Sequence, residues 1–369
     1  MSHLLDRRPG KGTEVYLRHL AKEFLKDPEI DLTLIHFEKI PEESLYQEAR
    51  EIIMKPFGGF RFLAELYFFL TTKERFDIIH WFVPRLYPFY WLAPAKKIVV
   101  TSHGAADKIA PNFKTSALHI FNFIFTYFHF WVDAVIGVSE SGRKEIIEAY
   151  HFDPQKVYAI YNGVGEAFRP IDKKKALAAL KERYNILDPP FILYAGRLEP
   201  RKNVKRIVEA YDLFRQASGR EEKLIIVGGP GSASQEVKQR AAVSPFSKDV
   251  QFIDVVYFED MPSLYSLAEV FIFPSVSESF GLPVIEAMAC GTPVVTSNIT
   301  SLPEIASDAA LKVDPYNTEE MSKALSVMLG SADVRNKYIK MGFENIKRFS
   351  WSKMSQEIKS LYKKLLYDN

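Results

Sequence analysis

Two glutamates, Glu278 and Glu286, lie on either side of a loop-to-helix junction that follows an apolar, strand-like run at residues 270–274. Pro283 is typical of the first turn of a helix, and Gly291 is typical of the residue that follows one. Carboxylates accept hydrogen bonds from sugar hydroxyls, whereas the free N–H groups of a helix start bind phosphate. The segment offers both contacts that a nucleotide-sugar requires, although two solvated glutamates would show the same spacing.

A second group of candidates is cationic. Arg197 and Lys202 follow a strand predicted at residues 191–196 and so belong at its carboxyl end, where open parallel sheets bind ligands. Two cations there can neutralise a diphosphate as it departs. A cationic surface loop is the alternative interpretation, and Arg201 is expected to be solvated.

Two further candidates lie in the first half of the chain. His103 ends a strand predicted at residues 97–103, and Gly12 closes a glycine-containing stretch at residues 9–12. Glycines at a helix start let the backbone approach a phosphate closely. Without other motifs, a histidine satisfied at a strand end is the better explanation of His103, and an ordinary loop explains the glycines equally well.

Composition indicates the class of protein and the cellular compartment to expect. The chain has 369 residues, 47% of them apolar and 25% charged, as in an ordinary globular protein with room for two domains. A net charge of +2 does not indicate a nucleic-acid binder. The single Cys290 fits a reducing, cytoplasmic setting and a core position. Residues 116–137 are long enough to span a bilayer, but a strand within residues 133–139 argues against a span.

Short apolar runs alternate with helical patterns along the chain, which predicts an α/β fold with parallel sheets covered on both faces. The predicted strands are too many for one sheet, so we expect two doubly wound, Rossmann-like domains, at residues 1–165 and 166–349. An amphipathic helix follows at residues 350–369, and Ser350 is its predicted N-cap. The predicted strands are residues 32–37, 76–82, 97–103, 134–139, 157–161, 191–196, 223–228, 250–255, 270–274, 293–297 and 311–313.

Two absences narrow the chemistry. The chain contains no Asp-x-Asp, so the usual ligands of a metal–diphosphate clamp are not evident, and we expect no metal. It also has no Gly-x-Gly-x-x-Gly after a strand, which disfavours a dinucleotide oxidoreductase.

The stretch Glu-Ser-Phe-Gly-Leu-Pro-Val-Ile-Glu-Ala-Met-Ala-Cys-Gly-Thr-Pro-Val-Val, which begins at Glu278, resembles the signature of the family 4 (group 1) retaining glycosyltransferases. The segment at residues 191–204 and the glycine-containing stretch resemble the donor-phosphate motifs of that family. The resemblance implies a GT-B fold with two domains facing across a cleft. It also implies that the C-terminal helix crosses back onto the N-terminal, acceptor-binding domain, while residues 166–349 bind the donor.

By this resemblance, Glu278 holds the sugar hydroxyls and Glu286 the ribose, while His103 lies near the anomeric centre. The diphosphate is held by Arg197, Lys202 and the start of the helix. The implied donor-binding set is Gly12, Arg197, Lys202, Glu278, Phe280, Gly281, Leu282 and Glu286, and the implied catalytic set is His103, Glu278, Arg197 and Lys202.

The implied reaction moves a hexosyl group from a nucleotide-diphosphate sugar, GDP-mannose or a UDP-hexose, to a glycan or lipid-linked acceptor without a cofactor. A sugar-nucleotide epimerase and a non-catalytic nucleotide-sugar-binding protein are the alternatives. Members of the family have a full strand before the glycine-containing loop, and only residues 1–8 precede it here. We therefore expect the central strand of the first sheet to be short, displaced or absent.

Aromatic residues are concentrated between Phe57 and Trp131. A crowded aromatic core is one interpretation. Aromatic and basic side chains together also favour the membrane–water interface. We therefore expect peripheral contact of the N-terminal domain with the inner face of a membrane.

Overall fold

The computed structural model describes residues 12–38, 44–55, 61–82, 90–104 and 129–368. The chain divides into two compact units. Unit 1 comprises Met1–Gly163 together with Phe349–Asn369, and unit 2 comprises Val164–Arg348. The glycine-containing stretch before Gly12, the segment that precedes it, and the aromatic runs at residues 57–60, 83–89 and 105–128 lie outside the described residues.

Unit 1 is an α/β unit whose described strands form two parallel sheets. One sheet pairs β1 with β2, and the other has the order β3-β4-β5-β6. The elements are α1 (Gly12–Leu25), β1 (Thr33–His36), α2 (Ser44–Glu48), β2 (Arg50–Ile53), α3 (Arg61–Thr71), β3 (Phe76–Trp81), β4 (Ala95–Ser102), β5 (Ala134–Gly137), α4 (Glu140–Tyr150), β6 (Val157–Ala159) and, at the C-terminus, α13 (Trp351–Tyr367).

Strand β2 was not predicted from the sequence. Its four residues, Arg50–Ile53, pair in parallel with β1, and both end residues are exposed. The strand is too short and too polar to give a clear alternation of apolar and polar residues. Its conformation is fixed by the neighbouring strand.

The C-terminal helix α13 packs within unit 1. Ser350 caps it by accepting a hydrogen bond from the backbone N–H of Lys353, as the sequence predicts. Its buried face includes Met354 and Ile358, and the predicted amphipathic character is confirmed. At Gly163 a Cβ atom would lie 2.2 Å from the backbone nitrogen of Trp351, so only glycine allows the chain to pass here.

Unit 2 contains one parallel sheet of six strands in the order β12-β11-β10-β7-β8-β9. Helices connect the strands, as expected for a doubly wound sheet. The elements are α5 (Lys173–Tyr184), β7 (Phe191–Ala195), α6 (Val204–Ser218), β8 (Lys223–Val227), α7 (Ser234–Ala242), β9 (Val250–Ile253), α8 (Met261–Leu267), β10 (Val270–Phe273), α9 (Leu282–Ala289), β11 (Val294–Ser297), α10 (Leu302–Ala306), β12 (Ala310–Val313), α11 (Thr318–Gly330) and α12 (Ala332–Ile346).

The central strands of unit 2 are fully buried, which explains their nearly continuous apolar sequences. All residues of β7 and β10 are buried. The rings of Tyr194 and Phe273 are stacked, with their centroids 6.1 Å apart. Cys290 is buried beside this core, where burial raises the pKa of its thiol to about 12. The prediction of a core cysteine is therefore confirmed, because such a thiol is not a reactive nucleophile.

Short 3-10 turns occur at Tyr90–Leu92, His129–Trp131, Pro154–Lys156, Pro200–Lys202, Ser247–Asp249 and Phe258–Asp260. Among the residues that the structure describes, none of the helices is long and apolar enough to cross a bilayer.

Candidate active site

The loop between β10 and α9 places Glu278 and the start of α9 at the carboxyl end of the sheet in unit 2. Gly281 has φ +103°, a left-handed conformation that favours glycine, and a Cβ atom there would lie 2.7 Å from Leu302. Pro283 follows in the first turn of α9, and Gly291, with φ +78°, follows the helix end at Cys290. The predicted strand–loop–helix order is thus confirmed. The start of α9 presents the backbone N–H of Leu282, whereas Pro283 has no N–H and that of Val284 donates to the backbone oxygen of Gly281 at 3.0 Å.

Glu278 is held by cations at its carboxylate and by Ser301 at its backbone. Its carboxylate accepts a hydrogen bond from Lys202 Nζ at 2.5 Å, and Arg201 Nη1 lies 3.5 Å from its other oxygen. The side chain of Glu278 is only 9% exposed. The hydroxyl of Ser301 donates to the backbone oxygens of Glu278 and Phe280, each at 3.0 Å. These contacts fix the position of the Glu278 carboxylate.

Lys202 has little freedom of movement. Its side chain is 11% exposed, and Nζ lies 4.8 Å from the centre of the Phe273 ring, within the range of a cation–π contact. The next residue, Asn203, adopts φ +63° and donates through Nδ2 to the backbone oxygens of Pro274 at 3.1 Å and Pro315 at 2.6 Å. Asn203 thereby ties the loop after β7 to the loops after β10 and β12.

Asn203 was missed by sequence reasoning. The one local signal was an asparagine directly before a helix, which usually indicates an N-cap. Its side chain instead bonds to residues far along the chain and makes no cap bond.

Arg197 is placed at the end of β7, and its side chain is 55% exposed. Its nearest charged partner is Glu199, at 3.3 Å. A Cβ atom at Gly228 would lie 1.8 Å from the backbone oxygen of Gly196, so the loops after β7 and β8 approach closely because residue 228 is glycine. Arg197 thus presents a guanidinium to solvent at the same end of the sheet as Lys202.

Arg201 differs from its prediction. The sequence suggested a solvated side chain, but Arg201 donates to the backbone oxygen of Ser277 at 3.2 Å and contacts Glu278 and Glu199. The reason is the fold. The Pro200–Lys202 turn brings Arg201 against the β10–α9 loop, where carboxylates and a carbonyl satisfy its donors.

Glu286 lies in the second turn of α9, on the helical side of the predicted loop-to-helix junction. Its carboxylate accepts a hydrogen bond from Tyr265 Oη at 3.2 Å. Burial raises the pKa of Glu286 to about 7. Burial thus disfavours the ionised form of this carboxyl.

The structure places Phe280 and Leu282 on either side of Gly281. The ring of Phe280 is buried, with 4% exposure, so any contact of this residue with a donor involves its backbone. Leu282 is the first residue of α9 and is partly exposed, which leaves its N–H at the helix start.

Unit 1 carries the other two predicted site residues. Gly12 is the exposed first residue of α1. His103 directly follows β4, is half-buried, and meets the ring of Tyr16 edge-on with centroids 5.1 Å apart. Burial lowers the pKa of His103 to about 4, so the imidazole is neutral at physiological pH.

A buried polar network lies behind His103. His80 is hydrogen-bonded through Nδ1 to Tyr362 Oη at 2.6 Å and through Nε2 to Thr101 Oγ1 at 2.7 Å. Tyr16 Oη lies 3.3 Å from the same Thr101 hydroxyl. Burial holds the pKa of His80 well below its usual range. The network connects helix α13 to the strand end that carries His103.

Within the described ranges, no group of three His, Cys, Asp or Glu side chains is arranged to hold a metal ion.

The two parallel α/β units match the GT-B class of glycosyltransferase folds, as the solved structures described below show. The sequence model for "Glycosyl transferases group 1" matches residues 178–345, and that for "Glycosyltransferase Family 4" matches residues 10–168. The chain belongs to this family of glycosyltransferases.

Several characterised proteins are similar to the chain. O-antigen chain mannosyltransferase B of Escherichia coli is 31% identical over 231 residues, which cover 63% of this chain and 60% of the relative. D-inositol 3-phosphate glycosyltransferase of Nocardia farcinica is 27% identical over 345 residues, covering 88% and 70%. The chain spans less than two thirds of the first relatives, with only 27% of the serotype-specific mannosyltransferase WbdA of Escherichia coli covered.

Solved structures share the fold over nearly the whole chain. Anabaena HepE in complex with UDP and glucose gives a TM-score of 0.77 at 18% identity, covering 96% of this chain and 97% of that one. Sucrose-phosphate synthase from Thermosynechococcus elongatus gives 0.76 at 20% identity, covering 98% and 95%. At these identities the likeness concerns the fold.

Proposed function

We propose that the protein is a glycosyltransferase that moves a hexosyl group from a nucleotide-diphosphate sugar to a glycan or lipid-linked acceptor, with retention of anomeric configuration. The observation that carries the proposal is the Lys202–Glu278 ion pair beside the start of α9, at the same end of the sheet as the exposed guanidinium of Arg197. Family membership and the mannosyltransferases among the relatives support a hexosyl donor such as GDP-mannose or a UDP-hexose.

In the proposed reaction, unit 2 binds the donor. Arg197, with an exposed guanidinium, and the N–H groups at Gly281 and Leu282 hold the diphosphate, and Lys202 adds a second positive charge nearby. Glu278, already fixed by Lys202, accepts hydrogen bonds from the sugar hydroxyls, while Glu286 accepts from the ribose.

The chemistry needs no protein nucleophile. The acceptor hydroxyl attacks the anomeric carbon from the face that the diphosphate leaves, so the bond to the phosphate oxygen breaks as the bond to the acceptor oxygen forms. The departing phosphate oxygen takes the acceptor proton. Neutral His103 in unit 1 can donate a hydrogen bond to a sugar hydroxyl, and Gly12 lies at the helix start that faces phosphate in this proposal.

No cofactor is required by this scheme, and the two cations replace the charge that a divalent metal would supply. We assign the acceptor to unit 1 and place the protein in the cytoplasm, in peripheral contact with a membrane. The exposed aromatic side chains of unit 1 support that contact: Trp91, Phe130 and Trp131 are 40%, 56% and 38% exposed. Nucleic acid is not an expected partner.

A thermal-shift panel of UDP-, GDP- and ADP-sugars identifies the donor, because a ligand that binds the folded state raises the melting temperature. Product analysis with the selected donor and a glycan acceptor then tests transfer and the configuration of the new bond. Lys202→Ala should abolish the shift with the cognate donor. Lys205→Ala is the matched control. Lys205 lies three positions after Lys202 and pairs with Glu236 on the exposed surface.

Two outcomes would favour the alternatives. Conversion of the nucleotide-sugar without any acceptor would indicate an epimerase. Tight donor binding without turnover for any acceptor would indicate a nucleotide-sugar-binding protein.

A further inference from the structure

Charged side chains of alternating sign form a row at the carboxyl end of the sheet in unit 2. Glu199 lies between two arginines, with Oε1 3.3 Å from Arg197 Nη1 and Oε2 3.0 Å from Arg201 Nε. Glu278 lies between Arg201 Nη1, 3.5 Å from its Oε2, and Lys202 Nζ, 2.5 Å from its Oε1. Each oxygen of the two carboxylates therefore faces one cation, and Arg201 contacts both carboxylates.

The backbone fixes Arg201 against the loop between β10 and α9. The N–H of Val276 donates to the backbone oxygen of Arg201 at 2.8 Å, and Arg201 Nη1 donates to the backbone oxygen of Ser277 at 3.2 Å. With the contact to Glu278, Arg201 touches three consecutive residues of this loop. Arg201 thus holds both the Glu278 carboxylate and the backbone that carries it.

The shape of the guanidinium matters for these contacts. The N–H groups of an arginine point in fixed directions within one plane, whereas a lysine carries the same charge on a flexible stem without a fixed orientation. In Arg201, Nε faces Glu199 while Nη1 faces Glu278 and Ser277. Glu199 therefore sets the plane of the guanidinium, and that plane sets the direction from which Glu278 is held.

The contacts of Glu278 decide where a ligand can bind to it. An ionised carboxylate accepts about four hydrogen bonds, two on each oxygen. Lys202 occupies a position on Oε1, and Arg201 faces Oε2. The positions that remain belong to the same two oxygens, so the cations fix the direction from which hydroxyl groups reach this carboxylate.

We propose that Arg201 is a positioning residue for recognition of the donor sugar. It orients the Glu278 carboxylate toward the sugar hydroxyls without contacting the donor, and Glu199 holds its guanidinium from the other side. This role rests on the proposed function, because that function gives Glu278 the sugar hydroxyls. Arg201 therefore affects affinity for the sugar part of the donor and leaves affinity for the nucleoside diphosphate unchanged.

The test is Arg201→Lys, which keeps the positive charge and removes the planar fork. Isothermal titration calorimetry gives dissociation constants of the parent protein and the variant for GDP-mannose and GDP, and for UDP-glucose and UDP. The ratio of the constant for the nucleotide-sugar to that for its nucleoside diphosphate isolates the contribution of the sugar. We expect Arg201→Lys to raise this ratio about tenfold, the scale of one hydrogen bond to a charged group.

The control is Arg240→Lys. Arg240 also faces two carboxylates, Asp212 at 2.6 Å and Glu209 at 3.9 Å, but both belong to α6 rather than to the β10–α9 loop. Arg240→Lys should leave the ratio within about twofold of the parent value, because distant sites act independently. Melting temperatures of both variants report any loss of stability, which does not enter the ratio because the folded protein binds both ligands.

A second comparison tests whether Arg201 acts through Glu278. In a protein that already carries Glu278→Ala, Arg201→Lys should change the ratio by less than about twofold, because the carboxylate that it orients is absent. An undiminished effect in that background would overturn the proposal.

Two further outcomes separate this role from the proposed function. Binding of a nucleotide-sugar by the parent protein, with an equal ratio in Arg201→Lys, would overturn the positioning role alone. Failure of the parent protein to bind either nucleotide-sugar would overturn the proposed function and the positioning role together.

Discussion

Lys202 Nζ donates a hydrogen bond to the Glu278 carboxylate at 2.5 Å, although the two residues are far apart in sequence. Both side chains are almost enclosed, with 11% and 9% exposure. The pair connects the loop after β7 to the loop after β10 and orients a carboxylate and an ammonium for the same ligand. Because the charges are shielded from water, neither partner can be removed without leaving the other poorly satisfied.

The first prediction concerns the stability of this pair. Lys202→Ala should lower the free energy of unfolding by about 1–3 kcal/mol, because the Glu278 carboxylate loses its main donor. Thermal unfolding without ligand measures the loss. The surface control Lys205→Ala should change stability by less than about 0.5 kcal/mol. The double variant Lys202→Met with Glu278→Met should recover part of the loss, and additive single effects would contradict coupling.

The second prediction concerns turnover. Arg197→Ala should reduce the transfer rate on the order of 100-fold, the scale of removing one preorganised charge stabiliser, while the melting temperature of the free protein barely changes. The stability is expected to hold because the Arg197 side chain is 55% exposed. Steady-state kinetics with the cognate donor gives the rate. Near-normal turnover in both Arg197→Ala and Lys202→Ala would remove the phosphate assignment.

The third prediction concerns pH. The Glu286 carboxyl has a pKa near 4.5 in the unfolded chain and about 7 in the folded protein. Between these values the folded state binds more protons, so this group makes the free energy of unfolding fall as pH rises, and the effect is complete above pH 7. Glu286→Gln should therefore stabilise the protein more at pH 8 than at pH 5.

Melting temperatures across this pH range provide the measurement, with exposed Glu236→Gln as the control. An identical pH profile for Glu286→Gln and the parent protein would contradict a raised pKa.

The fourth prediction concerns metals. A chelator should leave transfer activity within about twofold of its starting value, because Arg197 and Lys202 supply positive charge at the diphosphate. Activity assays before and after treatment with EDTA make the comparison. Loss of turnover that added manganese or magnesium restores would show a metal-dependent step.

The fifth prediction concerns the membrane. The protein should co-sediment with anionic vesicles at low salt, and Phe130→Ser with Trp131→Ser should weaken binding several-fold, because aromatic side chains favour the membrane–water interface. Tyr257→Ser is the control, since Tyr257 is 58% exposed on unit 2. Equal sedimentation of the Phe130→Ser, Trp131→Ser double variant and the Tyr257→Ser control would assign membrane binding to other residues. No sedimentation of the parent protein would favour a soluble acceptor.

Local sequence determined much of unit 2 because its signals act over a few residues. An apolar run predicted β7, and Pro283 and Gly291 predicted the start and the end of α9. Ser350 predicted the start of α13, where its side chain caps the helix. Each of these depends on backbone conformation or on periodic burial, which neighbouring residues decide.

Tertiary structure alone decided how the candidate groups interact. Hydrogen bonds join residues that are distant in sequence, from Lys202 to Glu278 and from Asn203 to Pro274 and Pro315. The pKa of Glu286 is raised because the folded chain buries its carboxyl. Burial and hydrogen-bond partners set these properties, and both exist only once the strands are side by side. The same holds for β2, whose short polar sequence becomes a strand because β1 lies next to it.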